Sequence, residues 1–176
     1  MVTIFGRCIV DLVHERAAGI DISKRDAKVA IRAPGKRAGT FTTQVSTWGA
    51  TTNEVLALRQ MLVTAGVTTV VMESTSDYWK PFYYLFEDVL PVMLVNAKAA
   101  RNIPGRKTDV SDAAWLAQLG AHGLLRACFV PPQPIRELRD LTRARAIAMQ
   151  DRTREIQRLE KFLDPAASSS PSRCQI

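Results

Sequence analysis

The sequence predicts an α/β protein: a mixed sheet flanked by helices, followed by a long helical segment. Three observations carry that prediction. Residues 17–47 hold three stretches that alternate apolar and polar positions between polar turns, the pattern of consecutive antiparallel strands. Residues 67–72 and 91–95 are short, nearly continuous apolar runs with a helical pattern between them, as expected of strands buried on both faces in a parallel part of a sheet. Residues 135–163 then run without glycine or proline, rich in arginine, with an imperfect apolar stripe.

Taken in order, residues 1–16 show no clear period and read as an extension without an assigned role. Residues 17–22 form the first strand, with Asp21 in it, and 23–26 make a polar turn. In residues 27–33, Lys28, Ala30 and Arg32 alternate with Val29 and Ile31. After a turn at 34–37, residues 39–47 supply a third strand with Phe41, Thr43 and Val45 on one side. Asn53 is the expected N-cap of a helix that Gly66 closes. The strand at 67–72 ends on Glu73, and residues 74–77 offer caps for a helix through Phe86, with Pro81 in its first turn.

After the strand at 91–95, residues 96–107 read as a basic loop holding Lys98, Arg101, Arg106 and Lys107 without one acid. Thr108 or Asp109 then opens a helix that ends near Gly120 or Gly123. Residues 124–130 are apolar and ambiguous, and three prolines up to Pro134 break the chain. The segment at 135–163 reads as a helical hairpin or half of a coiled coil. The Ser-rich end is expected to be disordered. The implied organisation is an extension at 1–16, an α/β domain at 17–130, a helical segment at 131–164 and a tail at 165–176.

Composition narrows the partners. Lys and Arg number 24 against 17 Asp and Glu, a net charge of +7 with a pI near 9.7, which is the footprint of a nucleic-acid binder without being proof of one. Cys8, Cys128 and Cys174 are odd in number and form no CxxC pair, so a reducing cytoplasm is expected and a zinc site is not. No secretory signal and no run of the ~20 apolar residues that a membrane span needs is visible, so no membrane partner is expected. His14 and His122 have no visible partners.

The chemistry lies in four acids. Asp21 and Glu73 sit on strands that look buried, where an ionised carboxylate is costly unless something positive is held beside it. Asp109 and Asp112 are three apart, which on a helix puts them on one face near its positive end. Gathered together, the four would repel one another unless divalent cations separated them, and hard oxygen ligands favour Mg²⁺ or Mn²⁺. Singly, Asp109 also reads as a cap, Asp112 as a solvated first-turn acid and Asp21 as a turn former. Lys24, Lys98, Arg101, Arg106 and Lys107 would stand near these acids and suit phosphates. Tyr78, Trp79, Tyr83 and Trp115 fall within apolar helical patterns and read as core.

Four separated motifs add a family. Residues 19–24 (GIDISK), 72–79 (MESTSDYW), 96–98 (NAK) and 105–113 (GRKTDVSDA), with Trp115, Leu116 and Ala117, resemble the N-terminal domain of the DEDD insertion-sequence transposases, which include the Piv and MooV invertases. The resemblance implies a ribonuclease-H-like, RuvC-type fold with Asp21, Glu73, Asp109 and Asp112 as a catalytic, metal-binding tetrad, Mg²⁺ or Mn²⁺ as cofactor and DNA as partner. In the family a long helical region leads to a second domain with a serine nucleophile, and some members are guided by a structured RNA, which makes a guide RNA a candidate partner. After Leu163 the expected continuation is missing, so the end reads as a truncation or frame change, and Ser168, Ser169 and Ser170 are not carried over as nucleophiles.

The expected function is therefore metal-dependent phosphodiester chemistry on DNA in transposition, with complete strand exchange not expected of this chain alone. The alternative is an inert nucleic-acid-binding or regulatory fragment, and the long helix suggests a homo-oligomer in either case. A sugar-kinase or actin-like ATPase could open on a similar first strand. That reading needs Gly-rich phosphate loops and a second related domain, which the 9 glycines do not supply.

Overall fold

The computed structural model describes residues 2–5, 8–73, 76–103 and 111–167. Two compact units divide the chain, Met1–Phe129 and Val130–Ile176. In the first, β1 (Val2–Phe5) and β2 (Cys8–Asp11) form a small antiparallel sheet. The extension, for which no period was visible, thus holds two paired strands.

The main sheet has five strands: β3 (Ala17–Ile22), β4 (Asp26–Pro34), β5 (Phe41–Gly49), β6 (Thr69–Glu73) and β7 (Val92–Val95), in the order β5-β4-β3-β6-β7. The β5–β4–β3 part is antiparallel and β3, β6 and β7 are parallel, which is the mixed, ribonuclease-H-like arrangement. The β3–β4 turn is held by Ser23: its N–H donates to the Asp26 carbonyl (2.8 Å), its hydroxyl donates to Asp26 Oδ1 (2.5 Å) and accepts from Asp26 N–H (3.2 Å). A tight turn fixes the register, and the register decides which side chains share a face. Central β6 is buried at all five positions. Edge strand β5 is exposed from residue 42 to 47, so Phe41, Thr43 and Val45 do not make the buried side that their alternation suggested.

Helix α1 (Thr52–Thr64) starts one position before the expected cap, with Thr51 as N-cap, and buries Val55, Leu58 and Leu62. Helix α2 (Trp79–Phe86) buries Phe82 and Phe86. The expected basic loop begins instead with a short helix, α3 (Ala97–Arg101), because the Asn96 side chain accepts from Lys98 N–H at 2.9 Å and caps it. Helix α4 (Asp112–Ala121) opens at Ser111, whose hydroxyl accepts from Ala114 N–H at 3.3 Å, rather than at Thr108 or Asp109. Both of those residues lie outside the described ones. Val71, Val95, Trp115, Leu116 and Leu119 form the core between α4 and the sheet, with Trp115 Nε1 donating to the Ala100 carbonyl (3.2 Å). Tyr78, expected in the core, is exposed.

In the second unit, α5 (Gln133–Ala167) is one helix of 35 residues, not a hairpin. Nothing between residues 135 and 164 breaks it, since glycine and proline are both absent there. It also takes in residues 165–167, which were expected in the tail; residues 168–176 lie outside the described ones.

Candidate metal centre and nucleic-acid interface

The β3–β6 register pairs Ile20 with Met72, so the next step sets Asp21 beside Glu73 at the carboxyl ends of adjacent parallel strands, on one face. Neighbouring strands run about 4.8 Å apart, which is within reach of two carboxylates around a shared cation. Helix α4 lies on that same face. A Cβ at Gly19 would overlap the Ala113 carbonyl oxygen and the Ala117 nitrogen, while one at Gly120 would meet Val71 and Thr69. The helix therefore runs back along the strands from their carboxyl ends, and its first residue, Asp112, stands at the end that carries Asp21 and Glu73.

This contact depends on small residues. Ala30 of β4, Ala113 and Ala117 complete the seam, and Gly19 is flush with the sheet. The positive end of the α4 dipole consequently faces the acids. Glu73 is 8% exposed, whereas Asp21 and Asp112 are half-buried, and each of the three takes part in a polar or electrostatic interaction.

Among the described residues, no three His, Cys, Asp or Glu side chains stand close enough together to hold a metal ion. The three acids share an end and a face without converging on one point, and Asp109, the fourth expected ligand, lies outside the described residues. The donor chemistry nonetheless fits a hard divalent cation: every candidate ligand is a carboxylate, and Glu73 is buried where an unneutralised charge is costly.

Of the expected phosphate-binding cations, Lys24 and Lys98 lie around the same end. Lys24 is exposed in the β3–β4 turn, three residues past Asp21, and Lys98 is exposed on α3, just past the carboxyl end of β7. Arg101 is the last residue of α3, whereas Arg106 and Lys107 lie outside the described residues.

The far end of α4 carries groups that the sequence reading passed over. Arg32 of β4 is 7% exposed, its guanidinium lies 3.7 Å from the centre of the Phe41 ring, and its Nη1 has no hydrogen-bond partner among the described residues. His122 caps the helix and is buried, with Nδ1 3.3 Å from the Asp11 carbonyl oxygen. Burial first, and the charge of Arg32 to a lesser degree, push the His122 pKa below its ordinary value against the opposing pull of that carbonyl. His14, likewise expected to stand alone, has Nδ1 3.3 Å from Thr68 Oγ1. Neither histidine had a legible signal, because both contacts join segments far apart in the chain.

The family model of the IS110-type DEDD transposases, described as "Transposase", matches residues 18–167. That span is most of the chain. The protein belongs to the IS110 family of DEDD transposases. Among solved structures, this IS110-family chain is similar to Thermus thermophilus RuvC, with 13% identity over 63% of this chain and 98% of that one and a TM-score of 0.45. It is also similar to the Fowlpox virus resolvase in its complex with Holliday junction DNA, with 16% identity over 53% of this chain and 65% of that one and a TM-score of 0.37. A comparison with curated proteins finds no significant match. The transposase has no described helix that is long and apolar enough to cross a membrane.

Proposed function

We propose that this transposase chain performs metal-dependent phosphodiester chemistry on DNA, with Asp21, Glu73, Asp109 and Asp112 as the ligands of Mg²⁺, or of Mn²⁺ in its place. The observation that carries the proposal is the parallel register of β3 and β6, with the acids at the carboxyl ends of neighbouring strands under the start of α4. When bound, divalent cations supply Lewis-acid activation of the attacking oxygen and charge stabilisation of the leaving oxygen. The acids hold and orient those cations, and the buried setting of Glu73 lowers the local dielectric and strengthens each attraction. Lys24, Lys98, Arg101, Arg106 and Lys107 bind phosphate oxygens and position the strand without reading its sequence. Residues 17–130 act as the catalytic domain and residues 131–164 as a helical segment through which copies associate.

Thermal melting with added Mg²⁺ or Mn²⁺ tests this reading. The metal is expected to raise the melting temperature of the wild type by linkage, and Asp21→Asn or Glu73→Gln to remove that rise. An equal rise in both variants would end the metal-site reading. A second reading, an inert binding or regulatory fragment, is favoured by the exposed apolar positions of α5, among them Leu138, Ile156 and Leu159. Metal-dependent nicking of DNA by the wild type, lost in Asp21→Asn, would exclude it. Structured RNA is the second polyanion to assay beside DNA.

A further inference from the structure

The antiparallel β3–β4 register pairs Asp21 with Lys28, and the β4–β5 register pairs Lys28 with Thr47. Cross-strand partners of this kind point to the same face, about 5 Å apart. One row therefore crosses four strands on the α4 face: Glu73, Asp21, Lys28, Thr47. Lys28 is exposed although Ala27, Val29 and Ala30 around it are buried. The reason is the length of α4. Its Ala113 and Ala117 pack on Ala30 and close against Gly19, but the helix begins at Asp112, so Lys28 and Thr47 in the next row are exposed, while Glu73 is buried and Asp21 half-buried.

We propose that Lys28 is a phosphate-holding residue of the site, gripping the DNA phosphate next to the one at the acids; this rests on the reading given under Proposed function. A lysine whose only role was to pair with Asp21 would contribute little, because an ion pair made by an exposed lysine is weakened by water and by the entropy of fixing its long side chain. Once Asp21 ligates a divalent cation, the ammonium beside it no longer has a carboxylate to neutralise. A polyanion laid across the row satisfies both charges: one phosphate meets the acid-bound cation and its neighbour meets Lys28. Past Lys28 the row reaches Thr47, which is exposed on β5, the edge of the sheet among the described residues. Lys28 and Thr47 are thus the exposed positions of the row along which the bound strand would run.

The test is the salt dependence of binding by the full chain to a fluorescent DNA oligonucleotide in Mg²⁺, with the melting temperature of every variant measured alongside. Lys28→Gln is expected to lower the slope of log K against log salt by about 0.7–0.9, one phosphate's contribution, at unchanged melting temperature. Lys28→Arg should restore the slope. Lys36→Gln, exposed in the turn at the other end of the β4–β5 hairpin, should leave it at the wild-type value. A wild-type slope in Lys28→Gln, or an equal fall in Lys36→Gln, would overturn the role of Lys28 while leaving the metal-site reading to its own melting test. Absence of any salt-dependent DNA binding by the wild type would overturn both the role of Lys28 and the proposed action on DNA.

Discussion

At the scale of single residues, Gly19 is the position on which the candidate site turns. Asp21 and Glu73 are aligned by strand register alone, but Asp112 reaches their end of the sheet only because α4 lies against a backbone without a side chain. The atoms a Cβ would strike are backbone atoms of α4, which cannot rotate away as a side-chain tip can. Gly19→Ala is expected to destabilise the domain by about 3 kcal/mol, the upper part of the overpacking range, and to weaken the Mg²⁺-dependent rise in melting temperature. Urea denaturation and metal titration read the two effects separately. A variant of wild-type stability would show that the contact is looser than described. Asp21 and Glu73 were legible in the sequence because each ends a strand-like apolar run. The glycine's role was not, since it depends on a helix that lies almost a hundred residues later.

At the scale of elements, the charges of the sheet complement α4 at both ends. Acids stand at its positive N-terminus, while the Arg32 guanidinium of β4 stands near its negative C-terminus, beside the capping His122. Neither arrangement is visible in the α4 sequence, which simply reads as small and apolar. Helix α5 is the opposite case: its helical, Arg-rich character was read directly, although a hairpin was left open, and Arg154–Asp151 (2.9 Å) and Arg158–Glu155 (2.6 Å) support it at i,i+3 spacing. Ile135, Met149, Ile156 and Leu163 share one position of a seven-residue repeat, which Thr142 fills between the first two, and are exposed, together with Leu138 and Leu159 at a second position otherwise held by Arg145 and Arg152. If copies associate through these positions, Ile156→Lys with Leu159→Lys is expected to shift the sedimentation coefficient to that of a monomer while the far-UV circular dichroism stays unchanged. A wild-type chain that already sediments as a monomer at high micromolar concentration would remove the oligomer proposal.

At the scale of the whole molecule, the segment before β3 is tied to the domain by long-range contacts. Val13 N–H and His14 N–H both donate to the Ala121 carbonyl at 2.9 Å, Thr68 N–H donates to the Arg16 carbonyl at 2.9 Å, and the Asp11 carbonyl meets His122. Stability should therefore carry a histidine signature. Because the folded pKa of His122 is lowered below its ordinary 6.5, the unfolded chain binds the proton more readily. Its contribution is complete above that value and is lost as pH falls from about 6.5 toward the lowered folded value. Denaturation midpoints should thus fall between pH 7 and about 5.5 in the wild type, and fall less in His122→Gln. Equal pH dependence in the two proteins would mean that His122 titrates as it does in the unfolded chain.

The sequence by itself determined the mixed α/β class, the five strands of the main sheet, the helical character of residues 135–163 and the family, because periodicity, turn residues and short motifs are local properties of the chain. Tertiary structure alone decided which side chains meet. The pairing of Asp21 with Glu73 on one side and Lys28 on the other follows from strand register, and the reach of Asp112 follows from the seat of α4 on Gly19. The contacts of Arg32 and His122 follow from chain segments far apart in sequence. Register and packing are set by contacts between such distant segments, and a side chain's partners are therefore not written in its neighbours.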